Sequence, residues 1–384
     1  MLSILRRQLE EAVQASVQEL LQDVCSEIPP AELEKTKERS HGDFSCSLAL
    51  RLARVLKKNP MQIAEDIRVS IDRQLARSMI GACVEKIEIK NPGFINFYLA
   101  SGAFFSVVKE ILETKEDFGR GSDSQKKKVV IEFVSANPTG PLTVAHARQA
   151  AVGDALGNIL AFLGFQVTKE YYINDEGNQI RILGRSVKLR AQEILGATIE
   201  FPEDHYQGGY IKEMAKSFLA DNKITDMDAL SVLADRSFES FSVEYLMGLI
   251  RQDLKDFGVQ FDIWTSQAKV ATNETIDAAL KVISDRGYIY PQDGAMWFKT
   301  TALGDDKDRV VKKSDGHYTY LAPDIAYHKN KFDRKFDWVI DILGPDHHGY
   351  ISRLKAAVQA LGYDPKQLDV IIVQLATLYR KGEP

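Results

Sequence analysis

Leu2, Leu5, Leu9, Val13, Val17, Leu20 and Val24 recur at steps of three and four residues, which predicts an amphipathic helix at the amino terminus. The prolines of "IPPAEL" (residues 28–33) stop it. A second helix is expected over residues 48–56, ending at "KKNP". Pro60 then sits in the first turn of a third, which carries Ile63, Ile67 and Ile71. The period changes to two in "VEKIEIK" (residues 84–90) and "FINFYL" (residues 94–99). Asn91, Pro92 and Gly93 between them complete a hairpin pattern. Together these elements predict a small α/β domain over residues 1–118.

The polar, turn-rich stretch "GRGSDSQKKK" (residues 119–128) reads as a boundary; its lysines fit a solvated linker better than a nucleic-acid contact. Beyond it "VVIEFVS" (residues 129–135) is a nearly continuous apolar, β-branched run, the pattern of a strand buried on both faces. A Pro/Gly loop follows, then a helix to Leu163 with Val152, Leu156, Ile159, Leu160 and Leu163 on its expected inner face. Gly164 ends that helix, and "QVTKEYYI" (residues 166–173) is the next strand. The plan repeats in "FDWVIDILG" (residues 336–344), a helix through Leu361, and "DVIIVQL" (residues 369–375). Two such units predict a doubly wound parallel sheet over residues 119–384, with ligand at the carboxyl ends of its strands. The charged, mostly helical material of residues 174–300 reads as an insertion into it.

Composition narrows the class without changing this plan. With 45% hydrophobic and 27% charged residues the chain has a globular make-up, and no apolar run is long enough to span a bilayer. "MLSILRRQLEEAVQ" lacks the apolar core and cleavage site of a secretory signal, so the cytoplasm is the expected compartment. The cysteines Cys25, Cys46 and Cys83 are too few and too scattered for a disulfide framework or a cysteine-type zinc site. A net charge of −5 leaves any nucleic-acid role to local basic faces.

The chemistry concentrates in "IEFVSANPTGPLTVAHARQAAVGDAL" (residues 131–156). A buried strand, a loop and a helix start put backbone N–H groups and a positive helix end where an anion can dock. His146 falls in the first turn, where an imidazole can donate to a phosphate oxygen. The G-x-G-x-x-G and Walker A patterns are absent. On pattern alone a second reading stands equally: Thr143 is the helix N-cap and His146 a surface residue at the third helical position. A second candidate is "GPDHHG" (residues 344–349), where Gly344 allows close backbone approach and Asp346, His347 or His348 could meet a ligand. No third clustered ligand for a metal is evident there.

"IEFVSANPTGPLTVAHAR" resembles the signature of class I aminoacyl-tRNA synthetases in the form carried by arginyl-tRNA synthetases. So do "GDFSCSLALRLARVLKKNPMQIAEDI", "NPGFINFYL", "YYINDEGNQI", "GDDKDRVVKKSDGHYTYLAPDIAYH" and "LGPDHHGYISRLKAA", in the family's order. The resemblance implies a Rossmann-like catalytic domain preceded by a domain that meets the tRNA elbow. It implies ATP with Mg²⁺, L-arginine and tRNA(Arg) as partners, and a monomer without a membrane. For ATP it implicates Pro138, Thr143, Ala145, His146, Gly344, Asp346 and His347, with Thr143 and His146 in the catalytic signature. For arginine it implicates Glu132 at the amino group, Asn137 at the carboxylate, Tyr320 and Asp324 at the guanidinium, and also Ser135 and Asp346. Asn96, Phe97 and Tyr98 would face the tRNA, although alternate hairpin members are expected in the core. Arg181, Arg185 and Lys188 fit RNA phosphate or, more commonly, a solvated helix face.

Two departures from the family pattern are visible. Its first signature histidine is Thr143 here and its glycine is Ala145, which predicts weaker activation because threonine carries no charge. The chain also stops at "LYRKGEP", before the family's Lys-Met-Ser-Lys-type loop and helical anticodon-binding domain. The expectation is an amino-terminal fragment with reduced or no aminoacylation. The alternative is a truncated, non-catalytic paralogue that binds RNA or a protein partner.

Overall fold

The computed structural model describes residues 2–21, 28–121, 127–374 and 379, with residues 2–4, 79 and 346–348 described in backbone only. The chain divides into two compact units, Met1–Gly119 and Arg120–Pro384.

In the first unit, helix α1 (Leu2–Leu21) buries Leu5, Leu9, Val13 and Val17, as its three- and four-residue spacing requires. The expected continuation through Val24 lies outside the described residues. Strands β1 (Leu33–Lys35) and β2 (Phe44–Cys46) precede α2 (Leu48–Leu56) and α3 (Pro60–Leu75). Asn59 caps α3 by accepting from the Met61 N–H at 2.8 Å, with Pro60 in the first turn. Strands β3 (Val84–Lys90) and β4 (Phe94–Leu99) form the hairpin, and α4 (Ser101–Thr114) closes the unit. The sheet order is β1-β2-β4-β3, all antiparallel.

The inner position of β4 settles its side chains. Phe97 is fully buried in the unit's core, and Asn96 is buried with its Oδ1 accepting from Ser45 Oγ at 2.7 Å. Neither can meet RNA, which corrects the expectation for both. Tyr98 stays partly exposed, its hydroxyl donating to the Ser40 carbonyl at 2.7 Å and its ring covered by Lys86 at 4.1 Å.

The second unit is built on β5 (Lys128–Glu132), α5 (Val144–Phe162) and β6 (Gln166–Ile173). Helices α6 (Asn178–Ile194), α7 (Gly209–Asp221), α8 (Met227–Ser231) and α9 (Asp235–Asp256) follow, then β7 (Ile263–Ser266), α10 (Gln267–Val270) and α11 (Asn273–Asp285). A meander of β8 (Ile289–Gln292), β9 (Ala295–Phe298) and β10 (Arg309–Lys312) leads to α12 (Leu321–Asp333), β11 (Trp338–Leu343), α13 (Ile351–Leu361) and β12 (Leu368–Ile372). The main sheet is parallel throughout, in the order β12-β11-β5-β6-β7. The chain winds outward from β5 to β7 and then back to β11 and β12, so the switch point lies between β5 and β11.

Residues 174–300 are therefore not one helical insertion. Ile263–Ser266 returns to the main sheet as β7, beside β6, and β8 and β9 belong to the meander. A four-residue strand between charged helices has too short a period to stand out in sequence.

Alternation along β5 serves two faces. Val129, Ile131 and Phe133 join a core with Ala150 and Leu160 of α5 and Met247 and Ile250 of α9. Val130 faces Phe332 of α12 and Leu354 and Val358 of α13. Helix α5 buries only part of the face its large residues suggest: Leu160 is buried and Leu156 packs against the same core, but Val152 and Ile159 are exposed, Ile159 by 57%, while Ala150, Gly153 and Gly157 turn inward. The reason is close approach. A Cβ on Gly153 would stand 2.2 Å from Phe133 Cγ and 2.7 Å from its Cβ. Gly153→Ala is expected to force Phe133 aside and lower stability by about 1–3 kcal/mol, read as a shifted denaturation midpoint of this unit.

No helix among the described residues is long and apolar enough to cross a membrane.

Candidate active site

At the carboxyl end of β5 the backbone turns abruptly. Val134 and Ser135 both have positive φ, 67° and 38°, and the Ser135 N–H donates to the Phe133 carbonyl at 2.9 Å across Val134. For a buried β-branched residue this γ-turn is strained, a conformation that persists only where the surroundings impose it. The next loop is clamped from both sides. Tyr171 donates its hydroxyl to the Ala136 carbonyl at 2.9 Å, and Tyr210 of α7 donates to the Thr139 carbonyl at 2.6 Å. Pro138 is buried within it, and Asn137 is exposed, donating to Gln179 at 3.1 Å and accepting from Asn174 at 3.2 Å.

The loop delivers the start of α5, with Thr143 as N-cap and His146 at the third helical position. The Thr143 N–H donates to His146 Nδ1 at 3.0 Å, and Thr143 Oγ1 lies 3.1 Å from the same nitrogen. An Nδ1 that accepts cannot carry the proton, so the neutral ring presents Nε2–H as a donor. Burial supports the neutral form, pushing the His146 pKa below its ordinary value. Thr143 is the cap, as the second sequence reading expected, and its N–H fixes the His146 ring.

Beneath this turn lies a charge ladder. Asp341 on β11 is in register with Glu132 on β5, and Glu132 with Glu170 on β6. Each strand thus contributes one buried carboxylate at the same level. Helix α12 supplies the cations. Fully buried Lys331 donates to Glu132 Oε2 at 2.5 Å and to Asp341 Oδ1 at 2.6 Å. Arg334 Nη2 donates to Glu170 Oε2 at 2.7 Å, and Tyr327 and Thr265 donate to Glu170 Oε1 at 3.0 and 2.6 Å. His328 Nε2 lies 2.8 Å from Asp341 Oδ2, and its Nδ1 lies 2.8 Å from the backbone carbonyl of Asp324. With an acceptor at each nitrogen both must donate, so His328 is an imidazolium.

The titration directions agree with that geometry. Burial alone would lower His328, but the Asp341 charge and hydrogen bond raise it above its ordinary value. Burial would raise Asp341, but Lys331 and His328 hold it well below the usual carboxylate range. Lys331 is likewise raised, its desolvation outweighed by Asp341, Glu132 and Glu170. The His328 contribution is complete below pH 6.5 and fades as pH rises through the folded value. That of Asp341 is complete above pH 3.8 and is lost as pH falls through the folded value. Denaturation midpoints of the unit, followed across pH, are expected to peak between these limits and fall on both sides; a flat alkaline limb would contradict the charged His328.

Three of the expected arginine residues stand otherwise than the sequence suggested. Glu132 does not stand open at the strand end: it is buried, with Oε2 on Lys331 and Oε1 accepting from Ser135 Oγ at 2.9 Å. Tyr320 and Asp324 do not form a pair. Tyr320 is the N-cap of α12 and 89% exposed, so the four-residue spacing begins before the helix does. Asp324, half-buried in the first turn, instead accepts from the hydroxyl of Tyr350.

Beside it, Tyr172 stacks on Tyr327 with ring centroids 4.3 Å apart, and its hydroxyl has no hydrogen-bond partner among the described residues. Burial, then the negative charges of Asp324, Glu132 and Asp175, push that phenol above its ordinary value. Gly344 and Pro345 open a short 3-10 turn, Pro345–Tyr350, at the end of β11. The side chains of Asp346, His347 and His348 lie outside those described.

Sequence reasoning missed His328, Lys331, Glu170, Asp341, Tyr172 and Tyr350. A signal existed for the ladder: one acid in each of "VVIEF", "TKEYY" and "VIDIL", with cations at 328, 331 and 334 of the neighbouring helix.

The fold and site together define a doubly wound α/β protein with a strand–loop–helix turn after β5 and buried carboxylates on its three central strands. The family described as "tRNA synthetases class I (R), catalytic domain" matches residues 107–380, and "Arginyl tRNA synthetase N terminal domain" matches residues 7–99. The chain belongs to the arginyl-tRNA synthetase family. It is similar to the arginine–tRNA ligase of Bacillus licheniformis, 46% identical over all of this chain and 67% of that protein. It is 46% identical to that of Oceanobacillus iheyensis over 93% of this chain and 63% of the relative. The Thermus thermophilus arginyl-tRNA synthetase structure shares the fold, with a TM-score of 0.66 at 20% identity, covering 96% of this chain and 65% of that one. The chain thus spans about two thirds of the length of the curated relatives it matches.

Proposed function

We propose that the second unit activates L-arginine with ATP, giving arginyl-adenylate and pyrophosphate, and that the arginyl group then passes to the 3′ ribose of tRNA(Arg). The arginine carboxylate is itself the nucleophile, so the protein's task is to position it and to stabilise charge on the phosphates. The observation that carries this reading is the buried Tyr172 hydroxyl, which has no hydrogen-bond partner among the described residues and lies in the field of Asp324, Glu132 and Asp175. A guanidinium offers several donors in a fixed plane, matched by a carboxylate and phenol oxygens, and Asp324, Tyr172 and Tyr350 supply these.

In this reading Asn137 holds the arginine carboxylate at the loop, with Ser135 setting the turn beneath it. His146 donates Nε2–H to an ATP phosphate at the N-terminus of α5, with Pro138, Thr143 and Ala145 shaping the approach. Gly344, Asp346 and His347 flank the nucleotide across the switch point. Glu132 acts through Lys331 and Ser135 rather than by direct contact. Mg²⁺ would arrive on the ATP phosphates. Tyr98 is the accessible member of the expected RNA-facing trio. The reading places the protein in the cytoplasm, as a monomer.

Calorimetric titration with L-arginine, citrulline and ATP, together with charging of a tRNA(Arg) transcript, tests this. Citrulline replaces the guanidinium by a neutral urea, so arginine is expected to bind and citrulline to bind at least tenfold more weakly, about 1.4 kcal/mol. Equal binding of the two, or arginine binding with no response to ATP, would remove the assignment.

A further inference from the structure

The Asp324 carboxylate is reached through a chain of buried contacts that the adenylation chemistry does not itself require. Asp324 sits in the first turn of α12, and its backbone carbonyl accepts from His328 one turn later, at 2.8 Å. That carbonyl would ordinarily accept only the helical N–H. The imidazole's other nitrogen is tied to Asp341, and Asp341 is tied through Lys331 to Glu132. Glu132 in turn accepts from Ser135 Oγ, the atom that also accepts the Tyr172 N–H at 3.1 Å. The chain of contacts therefore starts at Asp324 and closes at Tyr172, two of the groups proposed to meet the guanidinium.

We propose that His328 is a positioning residue for the cationic substrate: charged and donating from both nitrogens, it fixes the first turn of α12 and with it the Asp324 carboxylate beside Tyr350. This rests on the arginine reading of the site. The charged groups facing His328 are Asp341 from β11 and Lys331 from its own helix, with the Tyr327 ring edge-on at 5.9 Å between centroids. One acceptor, Asp341, is thus shared between two cations, and a side chain at 328 that cannot donate from both ends would lose either the Asp341 or the Asp324 hydrogen bond. Electrostatically the effect is local. His146 stands at the start of α5, on the β5–β6 connection, and no hydrogen bond joins it to His328 among the described residues, so nucleotide binding is expected to be insensitive to it.

The test is the whole chain carrying His328→Asn, compared with wild type and Asp324→Asn. Each is titrated with L-arginine and with ATP well below its own denaturation midpoint. Asparagine retains a single amide donor group and no charge. His328→Asn is expected to weaken arginine about tenfold while leaving ATP affinity within twofold, and Asp324→Asn to weaken arginine at least as much. If His328→Asn weakens both ligands together, or neither, while Asp324→Asn still weakens arginine, His328 is only structural and the inference fails alone. If Asp324→Asn leaves arginine affinity unchanged, the arginine assignment of the pocket fails, and the inference falls with it.

Discussion

Lys331→Met is expected to cost the second unit about 3–5 kcal/mol of folding stability, the range for removing one partner from a buried ion pair. The size follows from what remains. Lys331 is fully buried and bridges Glu132 to Asp341, so its loss leaves two carboxylates in adjacent strands facing each other without a cation between them. Burial and like-charge repulsion then act in the same direction, and the pair must take up a proton or admit water. Methionine fills most of the volume, so the loss reports charge rather than a cavity. Urea denaturation of wild type and variant measures it, and the gap is expected to narrow in acid as the carboxylates protonate. A loss below about 1 kcal/mol at neutral pH would mean that the ladder is not a coupled charge network.

His146→Ala is expected to lower arginine-dependent ATP–pyrophosphate exchange by on the order of 10²-fold, the usual effect of deleting one preorganised donor at developing phosphate charge. The structure separates this from the residue three positions earlier. The Thr143 backbone N–H, not a side-chain charge, fixes His146 Nδ1 and leaves Nε2–H free to donate, and any residue at 143 except proline supplies that N–H. Thr143→Ala is therefore expected to lose a cap of roughly 1 kcal/mol and less than tenfold in rate. Comparable losses in the two variants would show that the Thr143 hydroxyl itself touches the nucleotide. The exchange reaction should be run with tRNA(Arg) present and with Thr143→His as a third arm; a gain there would mean that the family histidine adds a contact that Thr143 does not make.

Much of this protein was written in its periodicity. The β3–β4 hairpin, the first-turn proline of α3 and the repeated strand–helix–strand plan follow from spacings of two and of three to four residues, which act over a few neighbours. The loop and helix start around Thr143 and His146 were legible for the same reason, since a cap and a first-turn histidine are local features. Residue identity in "IEFVSANPTGPLTVAHAR" carried the family resemblance.

What the tertiary structure alone decided is which distant residues share a dielectric. Glu132, Glu170 and Asp341 are isolated acids in apolar runs until parallel pairing sets them in one register, and only then do Lys331, His328 and Arg334 have a face to match. The partner of Asp324 is Tyr350, 26 positions away, rather than its helical neighbour Tyr320. Gly153 stands beside Leu160 on the inner face of α5 because Phe133 occupies the space a Cβ there would need. Sequence pattern determined most of the elements and the loop before the start of α5, because those depend on local backbone geometry. Burial and charge pairing depend on long-range packing, so they came only with the fold.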